Sequence, residues 1–405
     1  MVIAIIGCGA VGSAIAEQLV KRGNVNKIKL ADSNIRKVNK ILNILTWINN
    51  KVELIPIQID AKKTEDIEKF LKGVNVVINA ASPICNIPIM KACLKSGTNY
   101  IDMASDPFEY PGIEGTSFDE QLKLNNEFVN KNLLALTNTG FSPGFTDLLC
   151  KHVVTKNSLE SIEYIKVYLA EKIESDKLVV SWSPYILLLE TIYPPTVYME
   201  NKIVSVDAEK SSRNVMFPGP IGEIKVRPFN GHPELRTIPD FIDIPVDYIE
   251  IGGGFLLNSM GFNDIIVEAL RKKVIESTFF HGDILEILST SFENPDKFIE
   301  NYNQGVIKNE FIACVFEIKG KRNNKTLEYL ATFENDLKAV IRNFYSGSVS
   351  SFVVSLVPSI IAEKILFKEI TEKGVLAPAG LSNASEIIEE CKKMGLNFKE
   401  SERWY

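Results

Sequence analysis

The feature that most constrains the fold lies at the start of the chain, where an apolar run leads into closely spaced glycines. The run, Val2–Ile6, is rich in β-branched residues and predicts a strand buried on both faces of a parallel sheet. Apolar residues at helical spacing follow the glycines, and a second predicted strand, Lys27–Ala31, ends on Asp32. The glycines have G-x-G-x-x-G spacing: Gly7, Gly9 and Gly12. This order of elements is typical of a dinucleotide-binding unit.

Each glycine of this loop has its own physical role. Gly7 permits the tight turn, Gly9 lets a pyrophosphate approach the backbone, and Gly12 lets the helix pack closely on the strand. The helix N-terminus, at Ala10 and Val11, offers free N–H groups and a partial positive charge to the phosphates. The alternatives are a tight turn in an unrelated α/β unit and a methyltransferase-type nucleotide fold, whose usual glycine spacing differs.

Asp32 indicates which cofactor the unit binds. A carboxylate twenty residues after Gly12 can accept hydrogen bonds from both hydroxyls of an adenosine ribose, and it repels a 2′-phosphate. The predicted cofactor is therefore NAD. The cationic residues Arg36 and Lys37 lie just beyond Asp32 and leave NADP as the alternative.

Strands and helices alternate as far as residue 140, which predicts an α/β fold with a doubly wound parallel sheet of the Rossmann type. Ligands of such sheets bind at the carboxyl ends of the strands. Four residues that follow predicted strands are therefore further candidates for cofactor binding: Asp60, Ala80, Ala81 and Ser82. Beyond residue 145, strand-like runs between Pro-rich loops predict a second, α+β domain with a mixed sheet. Helices are predicted again at Ser351–Thr371 and Ala384–Met394, followed by a polar tail.

Length and composition fit an ordinary two-domain protein of 405 residues with a net charge of −6. No basic cluster stands out, so nucleic acid is not an expected partner. No apolar run reaches the roughly 18 residues that cross a bilayer, so no membrane association is expected. Because Met1 leads directly into the first strand, we expect no targeting segment and predict a cytoplasmic location. Scattered cysteines and isolated histidines predict neither disulfides nor a metal site.

Several segments, in order along the chain, resemble the saccharopine dehydrogenase (saccharopine reductase) superfamily, which includes lysine 6-dehydrogenases and carboxynorspermidine dehydrogenases. Besides the glycine loop they are VVINAASPICNIPIMKACLKSGTNYID, GFSPGFTDLL, VSWSPYILLLE, NGHPELRTIP and GVLAPAGL. The resemblance implies an NAD(P)-dependent oxidoreductase acting on a CH–NH bond of a lysine-derived substrate. The leading prediction is saccharopine dehydrogenase of the L-glutamate-forming type, hence a role in lysine metabolism.

The resemblance also implies how the chain is divided. Residues 1–140 would form the NAD(P)-binding domain, completed by the helices of residues 350–405 that fold back onto it. Residues 141–349 would form a substrate-binding and dimerisation domain. The implied partners are a small amino-acid substrate and a second copy of the chain in a homodimer.

By the same resemblance, a substrate cleft lies at the turn between the two domains. The residues implied to touch the substrate are Ser105, Phe141, Pro143, Trp182, Ser183 and Asn230. Three polar side chains at the rim are the candidates for catalysis: Asp102, Ser142 and His232. As alternatives, Asp102 caps the next segment, Ser142 shapes the Pro-Gly turn, His232 is a surface loop residue and Trp182 is core packing. Asp147 is interpreted as an acid at a helix N-terminus.

Two departures from the glutamate-forming enzymes keep other functions open. Those enzymes tend to have Asp where this chain has Ser142, and they place an arginine near the segment that here reads Asn-Gly-His at 230–232. Arg227 and Arg236 are the nearest substitutes in sequence. The alternatives are lysine 6-dehydrogenase, carboxynorspermidine dehydrogenase, and a non-catalytic sensor that binds NAD.

Overall fold

The computed structural model describes residues 1–105, 116–256 and 292–405, which build two β-sheets with helices packed around them. The strands are β1 (Val2–Ile6), β2 (Lys27–Asp32), β3 (Glu53–Gln58), β4 (Val76–Asn79), β5 (Asn99–Asp102), β6 (Leu134–Leu136), β7 (Ser161–Ser175), β8 (Thr196–Met199), β9 (Lys202–Ser205), β10 (Arg213–Phe217), β11 (Gly222–Pro228), β12 (Tyr248–Leu256), β13 (Ile307–Arg322), β14 (Lys325–Asp336), β15 (Gly374–Leu376) and β16 (Phe398–Trp404). The helices are α1 (Ala10–Arg22), α2 (Ile35–Ile48), α3 (Thr64–Phe70), α4 (Asn86–Ser96), α5 (Ser117–Leu122), α6 (Asn125–Asn130), α7 (Thr146–Asn157), α8 (Pro184–Ile192), α9 (Glu234–Phe241), α10 (Phe298–Asn303), α11 (Leu337–Val340), α12 (Val349–Leu366) and α13 (Ala384–Lys393).

The first sheet is parallel and confirms the predicted Rossmann architecture. Its strand order is β15-β6-β5-β4-β1-β2-β3, so the direction of winding reverses between β1 and β4. Side chains on both faces of β1 are buried: Ile3 and Ile5 belong to one apolar core, and Ala4 and Ile6 to another. The apolar composition of the strand therefore reflects helices on both sides of the sheet. The glycine loop, Asp32 and the turn after β6 share the carboxyl edge of this sheet.

The second sheet is mixed, as predicted. Its order is β10-β11-β12-β7-β13-β14-β16, and the β8–β9 hairpin attaches to β12. Strands β7 and β12 pair in parallel, whereas the other described neighbours pair antiparallel.

The C-terminal segment completes both sheets. Strand β15 pairs with β6 of the first sheet, and on α1 Arg22 binds Glu363 (2.6 Å) and Glu390 (2.8 Å) of the C-terminal helices. The predicted polar tail is instead strand β16, because its backbone pairs with the edge strand β14 of the second sheet. The helix predicted at Ser351–Thr371 is α12, which ends at Leu366.

Helix α12 corrects the expectation that no apolar run reaches membrane-spanning length. Its 18 residues have a mean hydropathy of 1.7. By length and composition alone, the helix is therefore long and apolar enough to cross a membrane. However, 89% of that window is buried inside the protein, where α12 packs against β4 and β5 of the first sheet and β13 of the second. Its apolar surface thus lies in the core between the sheets.

Candidate active site

The glycine loop has the shape that a dinucleotide pyrophosphate requires. A Cβ atom on Gly12 would lie 1.8 Å from the carbonyl oxygen of Gly7, and one on Gly7 would lie 2.7 Å from the backbone of Ala80. Among the described residues, a Cβ on Gly9 would come within 4 Å of one atom, Asp296 Oδ1, at 3.5 Å. In the part of the chain that the structure describes, the space over Gly9 is thus open apart from this carboxylate, and α1 starts there without a side-chain cap on its N–H groups. These residues fit the pyrophosphate.

Asp32 is held against this loop by two backbone hydrogen bonds. Its Oδ2 accepts from the N–H of Cys8 and its Oδ1 from the N–H of Asn34, both at 2.8 Å. Each oxygen keeps a second lone pair with which it can accept a ribose hydroxyl. Near Asp32, Lys37 of α2 forms an ion pair (2.5 Å) with Asp296, which comes from the second half of the chain. Ribose binding by Asp32 stays a prediction.

The other predicted cofactor residues follow β3 and β4 at the same edge. Asp60 accepts a hydrogen bond from the backbone two residues later (3.0 Å) and so shapes the turn before α3. The N–H of Ala80 donates to Ile6 (2.8 Å), which places Ala80 and Ala81 beside the glycine loop. Ser82 is exposed at the start of the turn Pro83–Cys85.

Asp102 lies at the end of β5, buried in a network of polar groups. Its Oδ1 accepts from the N–H of Asn138 (2.8 Å) and its Oδ2 from Nε2 of Gln121 (2.6 Å). Gln121 and Asn138 in turn both bind the buried Ser105. Burial raises the pKa of Asp102 to about 6, although the hydrogen bonds that it accepts oppose the rise. Asp102 and Ser105 thus hold the turns after β5 and β6 together, which favours a structural role over the predicted contacts with reactants.

Replacement of Asp102 by alanine separates these roles. We expect the free energy of unfolding to fall by about 3 kcal/mol, because buried donors on Asn138 and Gln121 lose their acceptor. We expect kcat of the folded variant to change by less than about threefold. Urea denaturation and turnover well below the melting temperature measure the two effects. A loss of kcat of roughly 100-fold with unchanged stability would instead assign Asp102 to catalysis.

Ser142 and His232 meet at a carboxylate that sequence reasoning missed, Glu234. The hydroxyl of Ser142 donates to Oε1 of Glu234, and Thr146 donates to the same oxygen at 2.8 Å. Nδ1 of His232 bonds Oε2 of Glu234. Thr146 begins α7 and Glu234 begins α9, so this carboxylate joins the turn after β6 to the second half of the chain. His232 is buried, which argues against the surface-loop alternative.

Two more carboxyl groups surround this pair. Burial, and then the charge of Glu234, raise the pKa of Asp147 to about 8, although Thr237 donates a hydrogen bond to it. Burial also raises the pKa of Glu190 to about 7. Burial alone would lower the pKa of His232, but Glu234, Glu190 and Asp147 together raise it above its ordinary value. Burial would raise the pKa of Glu234, but His232 and three hydrogen bonds lower it. The interaction between His232 and Glu234 therefore favours the ionised form of both groups.

The residues next to Ser142 belong to the core. Phe141 is buried, with its ring stacked on Phe145 (5.6 Å between centroids) and edge-on to Phe333 (5.5 Å). Pro143 is buried and follows a cis peptide bond. Phe141 thus holds the turn in place from the core, so the packing favours a structural role over the predicted contact with substrate.

The other predicted substrate residues flank α8. Ser183 is exposed and caps α8 by accepting a hydrogen bond from Ile186 (3.4 Å). Trp182 is half-buried, with its ring 6.3 Å from that of Phe255. The N–H of Asn230 donates to the carbonyl of Glu190 (3.0 Å), which ties the 230–232 loop to the end of α8. Of these residues, Asn230 is the one that the structure links to the cluster around Glu234.

Two protein-family models match almost the whole chain. Residues 3–139 match the saccharopine dehydrogenase NADP binding domain, and residues 140–396 match the saccharopine dehydrogenase C-terminal domain. The chain belongs to the saccharopine dehydrogenase family. It is therefore an NAD(P)-dependent oxidoreductase, as the resemblance implied, and its first domain is the family's cofactor-binding domain.

The relatives and the solved structures that are similar to this chain carry different functional names. Carboxynorspermidine synthase from Vibrio cholerae is 23% identical over 97% of this chain and 95% of its own length. Carboxyaminopropylagmatine dehydrogenase from Synechocystis is 28% identical, but the match spans 40% of either chain. Saccharopine dehydrogenase (L-Glu forming) from Saccharomyces cerevisiae has a TM-score of 0.68 at 16% identity over 99% of both chains. Homospermidine synthase from Legionella pneumophila, solved with NAD, has a TM-score of 0.66 at 14% identity, covering 99% of this chain and 92% of its own. The two structures show the shared fold.

Sequence reasoning missed Glu234 and Glu190 although both lie in segments that carry the resemblance. Glu234 is two residues after His232 at the start of a helix, a spacing that could have suggested an ion pair. Asp147, interpreted from the sequence as a helix-terminal acid, does lie in the first turn of α7 and also interacts with this cluster. No local pattern indicated Asp296, because the glycine loop that it approaches lies at the other end of the chain.

Proposed function

We propose that this member of the saccharopine dehydrogenase family forms or cleaves the secondary amine of a carboxylated polyamine, of the carboxynorspermidine or carboxyaminopropylagmatine type. Two relatives in the family carry those names. Saccharopine and lysine are the competing substrates, and both belong in the same test.

The observation that carries the proposal is the surplus of carboxyl groups at the rim after β6. Glu234, Glu190 and Asp147 surround one cation, His232, and all four groups are desolvated. An ammonium group that enters this site favours the ionised forms of Asp147 and Glu190, whose pKa values burial raises, whereas a second substrate carboxylate would raise those pKa values further. The arginine of the 230–240 region, Arg236, is bound to Asp119 (3.0 Å) and Asp240 (3.4 Å).

The reaction assigns distinct tasks to these residues. When bound, the nicotinamide supplies or accepts the hydride at the carbon of the C–N bond. In the reductive direction a primary amine adds to an aldehyde, and the adduct loses water to give an imine. In this proposal His232, whose protonated form Glu234 favours, donates a proton to the hydroxyl group of the adduct, which then leaves as water. The hydroxyl of Ser142 donates a hydrogen bond to Glu234, so the lone pairs of its oxygen are left to accept a hydrogen bond from the substrate amine.

The test follows reduced nicotinamide absorbance with NAD or NADP and one of four substrates: carboxynorspermidine, carboxyaminopropylagmatine, saccharopine and lysine. We expect turnover with a carboxylated polyamine. Glu190→Gln should raise KM for that substrate without changing the affinity for the cofactor, and Glu68→Gln, on the surface, is the matched control. Turnover with saccharopine or lysine alone would refute the proposal. Cofactor binding without turnover of any of the four would favour the sensor.

A further inference from the structure

The adenosine end of the cofactor groove contains a carboxylate from the second half of the chain, Asp296. Asp296 lies on the turn Pro295–Lys297, where its N–H donates to the side chain of Asn294 (2.9 Å). Glu293, which precedes Asn294, donates its N–H to the carbonyl of Leu178 (3.0 Å). The turn is thus anchored to the second domain while its carboxylate lies over the Rossmann loop.

Asp296 lies beside two parts of the predicted cofactor site, Lys37 near Asp32 and the glycine loop at Gly9. One oxygen, Oδ2, is 2.5 Å from Nζ of Lys37, and the other, Oδ1, is 3.5 Å from the place of a Cβ on Gly9. Lys37 also lies in the field of Asp32: burial would lower the pKa of Lys37, but Asp296 and then Asp32 raise it. Asp32, Lys37 and Asp296 therefore form one charge cluster beside the glycine loop.

The charges of this cluster bear on the adenosine ribose. Asp32 is fixed by two backbone N–H groups, and Lys37 is a half-buried cation of α2 whose pKa the charge of Asp32 raises. A cation at that place would bind the 2′-phosphate that distinguishes NADP from NAD. Asp296 neutralises this cation and leaves the cluster with a net negative charge. Arg36, on the same helix turn, is exposed and therefore screened.

We propose that Asp296 determines the cofactor preference of this enzyme by pairing with Lys37, so that NAD is preferred and NADP is disfavoured. The ribose hydroxyls of NAD do not need Lys37, whereas a 2′-phosphate must compete with Asp296 for it. Selectivity is thereby set by the second domain as well as by Asp32 of the nucleotide-binding domain. The inference rests on the family's cofactor domain and does not depend on which amine is the substrate.

The experiment measures affinities for NADH and NADPH by fluorescence titration at low salt without any amine substrate. For the intact chain we expect tighter binding of NADH. Asp296→Asn should improve the NADPH-to-NADH affinity ratio by at least roughly tenfold, because Lys37 becomes available to the 2′-phosphate. Lys37→Met should change NADPH binding little on its own but should abolish the gain when combined with Asp296→Asn.

Controls separate selectivity from folding and from turnover. The pair is partly exposed, so Asp296→Asn should leave the urea midpoint of unfolding almost unchanged. The proposal is overturned if the intact chain prefers NADPH, if the ratio does not change in Asp296→Asn, or if the double variant keeps the gain. None of these results depends on the amine substrate. If the proposed amine substrate is wrong, all of these expected results stay the same.

Discussion

Replacing Gly12 by alanine is expected to abolish measurable NAD binding and to lower the free energy of unfolding by about 3 kcal/mol or more. The added Cβ would lie 1.8 Å from the carbonyl oxygen of Gly7 and 2.9 Å from its carbonyl carbon. Both neighbours are backbone atoms, so no side chain can rotate away. Relief requires α1 to move off β1, which disrupts the loop and the core beneath it. Urea denaturation and NADH titration measure the two effects.

Gly9→Ala is the matched control, because it adds the same methyl group three residues earlier. Gly9 has φ of −77°, which alanine adopts freely, and the nearest described atom would be a carboxylate oxygen at 3.5 Å. We expect a change in the free energy of unfolding of at most about 1 kcal/mol, since alanine is a poorer N-cap than glycine. NADH affinity should fall by roughly tenfold or more, because the methyl group occupies the approach of the pyrophosphate. Unchanged NADH binding in Gly9→Ala would place the pyrophosphate elsewhere.

Glu234→Gln is expected to reduce kcat/KM by at least roughly 100-fold, because His232 then loses the charge that keeps it protonated and one of the two accepting oxygens is replaced by an NH2 donor. Breaking this buried pair should also lower the free energy of unfolding by about 3 kcal/mol. Kinetics well below the melting temperature separate the two losses. Glu234→Asp keeps the charge and should recover part of the activity.

The pH profile distinguishes a proton donor from a purely structural histidine. The raised pKa of His232 means that its proton is lost only as the pH rises above the ordinary histidine range. The rate in the reductive direction should therefore fall as the pH rises through that range, which gives the pH profile an alkaline limb. The stabilisation from the protonated histidine follows the same sign: it is complete below about pH 6.5 and disappears as the pH rises through the raised pKa. In Glu234→Gln burial dominates, so the limb should move to lower pH. An alkaline limb at the same pH in both proteins would rule out His232 as its source.

Local sequence was sufficient for the nucleotide-binding half. The alternation of buried strands and amphipathic helices, the glycine spacing and Asp32 each depend on neighbours within about one βαβ unit. The clashes that a Cβ would cause at Gly7 and Gly12 agree with the roles that the spacing assigned to them. The segments of the resemblance also led to Ser142 and His232, both of which lie at the rim.

Long-range packing decided what those residues do. Asp102, Ser105 and Phe141 were expected at the substrate, but the structure buries them under the turns, because strand ends also need acceptors and apolar support. Equally, a strand-end position in the sequence does not reveal whether the side chain faces solvent or the neighbouring turn.

By itself, the sequence determined the Rossmann unit, its cofactor class and the family, because each is recorded in residues that are close along the chain. The tertiary structure alone decided the partners of the site. Ser142 and Glu234 are 92 positions apart, and Lys37 meets Asp296 across most of the chain. Polar and charged groups so distant in sequence interact only after folding brings them within a few ångströms of each other.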